Sequence, residues 1–181
     1  MRKLIATIAG VSVSLSVWAA PVDAGKSSVA ITFTQMGVPV EAHFNRFRGD
    51  IAYDPKQPEQ ALATLIVDVA SFDLGDPEYN REVQKPEWFN TAKFAEATFK
   101  ADRVRVVAPG RLEASGVLSV KGHSENVVVP MTVTATGKQQ IFEGAFSIKR
   151  LGFAIGEGDW ADTDMVENDV QIKFSVSTIA E

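Results

Sequence analysis

Apolar and polar residues alternate with a period of two along most of this chain, and no stretch keeps the longer period that an extended amphipathic helix requires. In DVQIKFSVS, Val170, Ile172, Phe174 and Val176 fall on one side and Gln171, Lys173 and Ser175 on the other. LEASGVLSVKG sorts Leu112, Ala114, Leu118 and Val120 from Glu113, Ser115, Ser119 and Lys121. The same pattern runs through VAITF (Val29, Ile31, Phe33), LIVDV (Leu65, Val67, Val69), VVVPMTVTA (Val127, Val129, Met131, Val133) and IFEGAFSIKR (Phe142, Phe146, Ile148). Turn signals separate these runs: DPKQPE at 54–59, APG at 108–110, KGHSEN at 121–126 and TGK at 136–138. Several of the gaps are of hairpin length and nothing supplies a parallel crossover, so the pattern predicts a mainly β, antiparallel single domain. About eight such strands close into a barrel, whose interior is either filled by side chains or wide enough for one slender ligand.

One interval resists the pattern. Asp73 to Ala95 is charged, carries Pro77 and Pro86, and is too irregular for a plain hairpin loop. Within and just beyond it, EWFNTAKFAEATF holds four of the chain's rings: Trp88, Phe89, Phe94 and Phe99. A short helix over Pro77–Gln84, followed by Trp88-Phe89 turning back across an open barrel end, accounts for the rings. Composition alone leaves open whether they line a channel or plug a solid core.

The first residues form a tripartite leader: Arg2 and Lys3, an apolar run from Leu4 to about Val17, and small residues beyond. The apolar run is shorter than the ~20 residues a spanning helix needs, which argues for a cleaved secretory signal over residues 1–24, a periplasmic or secreted product, and no stable membrane insertion. Cleavage after Ala24, with Val22 at −3, is the expected site, and Ala19, with Val17 at −3, is the alternative. The chain has no cysteine, so thiol catalysis, iron–sulfur clusters and cysteine-ligated zinc are excluded and no disulfide staples an exported domain. A net charge of −5 argues against nucleic acid or an anionic membrane surface as the main partner.

Several segments in order resemble a known family: HFNRFRGDIAYDP, with Phe44, Phe47, Gly49, Ile51 and Asp54-Pro55; the Asp68 to Gly75 strand end; Glu87-Trp88-Phe89-Asn90 before Phe94 and Ala97-Thr98-Phe99; and Gly116-x-Leu118-x-Val120-x-Gly122. Over roughly residues 26–179 the chain resembles the YceI-like family of exported lipid-binding proteins. That resemblance implies an extended, lipocalin-like antiparallel barrel with an elongated apolar interior. It also implies a polyisoprenoid or similar long-chain lipid as partner, such as an isoprenoid quinone or a polyprenyl phosphate. It favours pocket lining as the task of Trp88, Phe89 and Phe94. Lys121 stands where many relatives carry a histidine, and His123 lies just beyond it.

Strand parity adds Phe33, Phe44, Phe47, Leu118, Val133, Phe142 and Phe146 to the expected lining. Arg150 shares the parity of Ile148 and points inward near a rim, either to meet a lipid head group or to pair with Asp159 or Asp164; His123 is the other head-group candidate. Trp160, an indole among charges in GEGDWADTD, is expected to fold back onto the barrel mouth. The acidic residues of that segment lack the spacing of an EF-hand loop, and His43 and His123 lie in separate segments, so no metal, cofactor or catalytic residue is assigned. The leading reading is a carrier, store or sensor for a long apolar lipid; an enzyme acting on a lipid or small apolar substrate on the same barrel is the rival. A homodimer is left open.

Overall fold

A computed structural model describes residues 19–179; of the expected leader over residues 1–24, residues 1–18 lie outside them. The strands are β1 (Ala20–Pro21), β2 (Ser28–Gln35), β3 (Val38–Phe44), β4 (Phe47–Ala52), β5 (Leu62–Asp68), β6 (Phe72–Asp73), β7 (Glu96–Ala108), β8 (Arg111–Val120), β9 (His123–Thr136), β10 (Gln139–Lys149) and β11 (Val166–Ile179), with one short helix, α1 (Pro77–Glu82). All belong to one antiparallel sheet that curls on itself, in the order β1-β4-β5-β7-β8-β9-β10-β11-β2-β3-β6. The helix expected over Pro77–Gln84 ends at Glu82, and Asp76 caps its start by accepting from the amides of Glu78 and Tyr79.

The strand count is a correction: eleven rather than eight. The register explains the difference. β3 and β4 are one line of chain bent at Asn45–Arg46. On one edge it pairs with β5 (Phe47 opposite Val67) and then β6 (Phe44 opposite Phe72). On its other edge it pairs with β2 (Ala30 opposite His43) and then β1 (Ala20 opposite Ile51). Each partner line is interrupted by a single 3-10 turn, at Val69–Ser71 and at Ala24–Lys26. An aspartate starts both turns: the Asp68 carboxylate accepts from the Ala70 amide and the Asp23 carboxylate from the Gly25 amide. Ser71 fastens the bend, its hydroxyl accepting from the Arg46 amide and donating to the Asp68 carbonyl. Breaks of two or three residues are too short to stand out in a period-two pattern.

Long hairpins build the other side of the sheet. The Met36-Gly37 and Lys121-Gly122 turns have positive φ at both positions (50° and 77°; 50° and 79°), the geometry whose twist matches that of the flanking strands. Gly49 and Gly116 answer to close approach instead. A Cβ at Gly116 would lie 2.1 Å from the Lys100 carbonyl oxygen, and one at Gly49 would lie 2.2 Å from that of Thr64, so both positions require a bare backbone.

The N-terminal segment is part of the sheet. The Val22 amide donates to the Gly49 carbonyl at 2.9 Å and the Asp23 amide to the Ser177 carbonyl at 2.8 Å, while Val22 bridges Thr178. Ser27 Oγ donates to the Asp23 carbonyl and accepts from the Ser177 amide. Removing a leader after Ala19 leaves this line whole, whereas cleavage after Ala24 cuts it away. A chain begun at Gly25 is therefore expected to be about 2–4 kcal/mol less stable than one begun at Ala20, from a few net hydrogen bonds and the buried Ala20. Urea denaturation of the two forms checks this, and coincident midpoints would show that the segment contributes nothing.

Candidate functional site

The pleat sends one face of every strand inward, and side-chain size then decides whether the interior is filled. Across the lines β2, β10 and β11 the inward positions are large: Phe33, Phe142, Phe146, Ile148, Ile172 and Phe174. Across β5, β7 and β8 several are small: Ala63, Ala97, Ala101 and Ala114. A bulge between Ala101 and Arg103 shifts the parity of β7, so Val104 continues the inner face that Ala97, Phe99 and Ala101 begin. Rings facing alanines leave a cavity of about 270 Å³, near the lower end of the ~300–1,000 Å³ usual for small-molecule pockets. Two packed clusters flank it, one around Val69, Phe72, Phe89, Leu118, Val120 and Phe153, the other around Ala61, Ala101, Val104, Leu112 and Ala114, and Phe99 packs against both.

The irregular interval 74–94 closes one end. Backbone bonds from Phe89 to Val83 and from Asn90 to Lys85 fold it into tight turns, with Asn90 at φ 50°. Phe89 then meets Phe44 (6.1 Å) and Phe72 (5.9 Å), and Phe44 meets Phe72 edge-on at 5.7 Å. Trp88 packs on Trp160 at 5.3 Å, and both line the cavity, as do Leu74, Tyr79 and Val83. The amides of Gly156 and Glu157 both donate to the Glu87 carbonyl, joining this interval to the loop after β10.

Arg150 holds that loop together. It is 2% exposed, reaches the cavity wall, and directs every N–H of its guanidinium at a main-chain carbonyl. Nε donates to Glu167, Nη1 to Ile155 and Gly156, and Nη2 to Trp160 and Val166, at 2.6 to 3.1 Å. Burial pushes its pKa down, but a guanidinium stays charged in a protein. No carboxylate among the described residues pairs with it, so carbonyl dipoles alone balance the charge. Lys121, also buried, ties the β8–β9 turn to the same loop: Nζ donates to the Ala154 carbonyl and, at 2.7 Å, to Glu157, whose carboxyl it holds below the usual range. One polar atom on the wall is unmet. Trp88 Nε1 is shut off from water and has no acceptor among the described residues.

Of the residues expected from sequence, Phe33, Phe44, Trp88, Phe89, Leu118, Phe142, Phe146 and Arg150 lie on the cavity wall, and Trp160 folds back onto it. Four do not: Phe47, Phe94 and Val133 among the expected lining, and His123 among the head-group candidates. Phe47 is opposite Val67 but at the first position of β4, beside the bend. Phe94 lies against the Lys121–Gly122 turn, its ring under Lys93 Nζ, just before β7 begins. Val133 is opposite Phe142 and packs against the second cluster, as does Met131, which alone of the two reaches the cavity wall. His123 is exposed at the start of β9. Arg150 pairs with neither Asp159 nor Asp164, which are both exposed. Sequence reasoning missed Tyr53, Phe72 and Phe174 as lining; the alternation of β11 already put Phe174 on the face of Val170, whereas Tyr53, edge-on to Phe142 at 5.3 Å, follows β4 in a loop without a period.

Among the described residues no three His, Asp or Glu gather closely enough to hold a metal ion, and no helix is long and apolar enough to cross a membrane.

An antiparallel sheet curled around an apolar cavity suits several lipid-binding folds, and comparison with known proteins separates them. The model of the YceI-like domain matches residues 21–178. The chain belongs to the YceI-like family. A UPF0312 protein of Vibrio parahaemolyticus is 29% identical over 96 residues, and the match spans 53% of this chain and 49% of that protein. This chain thus aligns with about half of that relative's length; a UPF0312 protein of Shewanella sp. is 26% identical over 144 residues, 76% of this chain and 75% of the other. Among solved structures, Burkholderia cenocepacia BcnA superimposes with a TM-score of 0.85 at 39% identity, covering 87% of this chain and 99% of that one. A polyisoprenoid binding domain from Saccharophagus degradans implicated in plant cell wall breakdown shares the fold, with a TM-score of 0.73 at 18% identity over 91% of this chain and 100% of that one. YceI-like membership thus stands on the whole sheet, from β1 to β11.

Proposed function

We propose that this YceI-like protein is exported and holds a long apolar lipid, of the polyisoprenoid kind, within its barrel as a carrier, store or sensor. The observation that carries the reading is the cavity itself: its wall is almost wholly hydrocarbon, and rings on one side face alanines on the other, so an apolar chain fits where neither water nor a polar metabolite would be solvated. A solid core would have placed larger side chains at Ala97, Ala101 and Ala114. The likeness to a polyisoprenoid binding domain supports the chemical class, and the leader sequence supports export. Shielding an apolar chain in water is work for a binding protein, and no acid–base or nucleophilic pair on the wall calls for another role.

Organic extraction of the protein purified from its native host, followed by mass spectrometry, tests the reading. A stoichiometric long-chain lipid is expected, recovered unchanged after prolonged incubation. Turnover of the lipid would favour an enzyme, and an extract no different from that of an unrelated exported protein would sink the proposal.

A further inference from the structure

We infer that the lipid's tail enters sideways, through a seam in the barrel wall between β9 and β10 that no backbone ladder closes. The inference rests on the lipid-binding reading and goes beyond it by naming the route. The two strands leave the Gly137-Lys138 turn paired, from Thr136 opposite Gln139 to Met131 opposite Gly144, and there the pairing stops. Beyond that point, among the described residues, His123–Pro130 ladders only to β8 and Ala145–Lys149 only to β11. Pro130 supplies the reason. Counted from the two-residue turn, the even-numbered residues of β9 aim their main-chain groups at β10, so the next hydrogen-bonded pair would set Ala145 against Pro130, which has no N–H to give.

Side chains alone hold the seam. Val127, Phe146 and Ile148 pack against the cluster around Leu118, Val120 and Phe153, and Val129, Phe146 and Ile148 line the cavity, so the inner faces of both seam strands are also the cavity wall. Outside, the seam has an apolar lip: Val128 is 55% exposed, and Ala145 is exposed on the other strand. Apolar side chains part without breaking a main-chain hydrogen bond. The rest of the wall resists more, because β8 and β9, and β10 and β11, are laddered along these same stretches. The end closed by Trp88 and Trp160 opens only by giving up the bonds from the Gly156 and Glu157 amides to the Glu87 carbonyl and the Lys121 contacts with Ala154 and Glu157, each of them stabilising.

The chain has no cysteine, so Val128→Cys with Ser147→Cys introduces the only two thiols, at exposed positions that would face each other if the ladder went on. The mature double variant is bridged with a short bis-methanethiosulfonate and mixed with geranylgeraniol in stopped flow, with Trp88 and Trp160 on the cavity wall reporting uptake. Bridging is expected to slow uptake and release together by roughly tenfold or more, with Kd unchanged, because a route sets rates and not affinity. Reductant should restore the parental rates, which also certifies that the variant is folded. A bridge between Ser119→Cys and Ser124→Cys, whose parent hydroxyls lie 2.7 Å apart on an intact ladder, should change neither rate. Uptake as fast with the seam bridged as without overturns the inference. Hydrogen exchange of the unaltered protein tests the seam without any lipid: the amides of Asn126, Val128 and Ser147, which aim across it, should exchange well ahead of those of Val127, Val129 and Phe146, which aim at β8 and β11. Equal protection of the two sets overturns the inference as well. If the unaltered protein takes up no geranylgeraniol, the lipid-binding reading fails and the portal with it, whatever the seam amides do.

Discussion

Replacing Arg150 with Met is expected to lower stability by about 3–5 kcal/mol, the largest loss foreseen for any single substitution in this protein. The guanidinium is a hub for five carbonyls from Ile155, Gly156, Trp160, Val166 and Glu167, all drawn from the loop between β10 and β11 or from the start of β11. Without it those oxygens lose their donors in a region the solvent barely reaches, and each unmet acceptor costs about 1–3 kcal/mol before the loop relaxes. Methionine has similar reach and no donor, so the effect reports hydrogen bonding and not volume. Arg150→Lys keeps the charge but brings three donors on a flexible stem in place of a planar fork, and should recover only part of the loss. Chemical denaturation measures all three proteins. A Met variant within ~1 kcal/mol of the parent would mean that the loop is held by other contacts, such as the Lys121 tie to Ala154 and Glu157.

Affinity for polyisoprenoids is expected to rise steeply with tail length and then stop. Each methylene taken from water contributes ~0.8 kcal/mol, so one prenyl unit adds several kcal/mol before its ordering cost, or more than tenfold in Kd. The rise ends when the cavity is full. At about 270 Å³ the cavity is small for a ligand pocket, so the plateau should come after a few units unless the wall yields as the tail enters. Titrating Trp88 and Trp160 fluorescence with a series of prenyl ketones measures it. Affinity indifferent to tail length would show that the apolar interior is not where the lipid lies, whatever the head group does.

Period-two alternation by itself determined which side chains of β8, β10 and β11 turn inward, because the pleat is a property of the local backbone and needs no partner strand. It also determined the antiparallel, mainly β class, and the spacing of Phe44, Gly49, Trp88, Phe89 and Gly116 carried the family. Tertiary structure alone decided the rest. Eight regular strands became eleven because Asp23 and Asp68 each cap a short turn that breaks the ladder, and only the register across the bend at Asn45–Arg46 shows how the pieces align. Met131 reaches the cavity wall and Val133 does not, and Phe94 packs on the Lys121–Gly122 turn while Trp88 and Phe89 close the end, because a void is the difference between volumes supplied by lines far apart in the chain. Arg150 was visible as an inward-pointing cation, but its five partners come from residues up to Glu167, and a hydrogen-bond cage of main-chain oxygens has no side-chain signature to read. Alternation reports the direction of a side chain; what waits there for it depends on where the rest of the chain has gone.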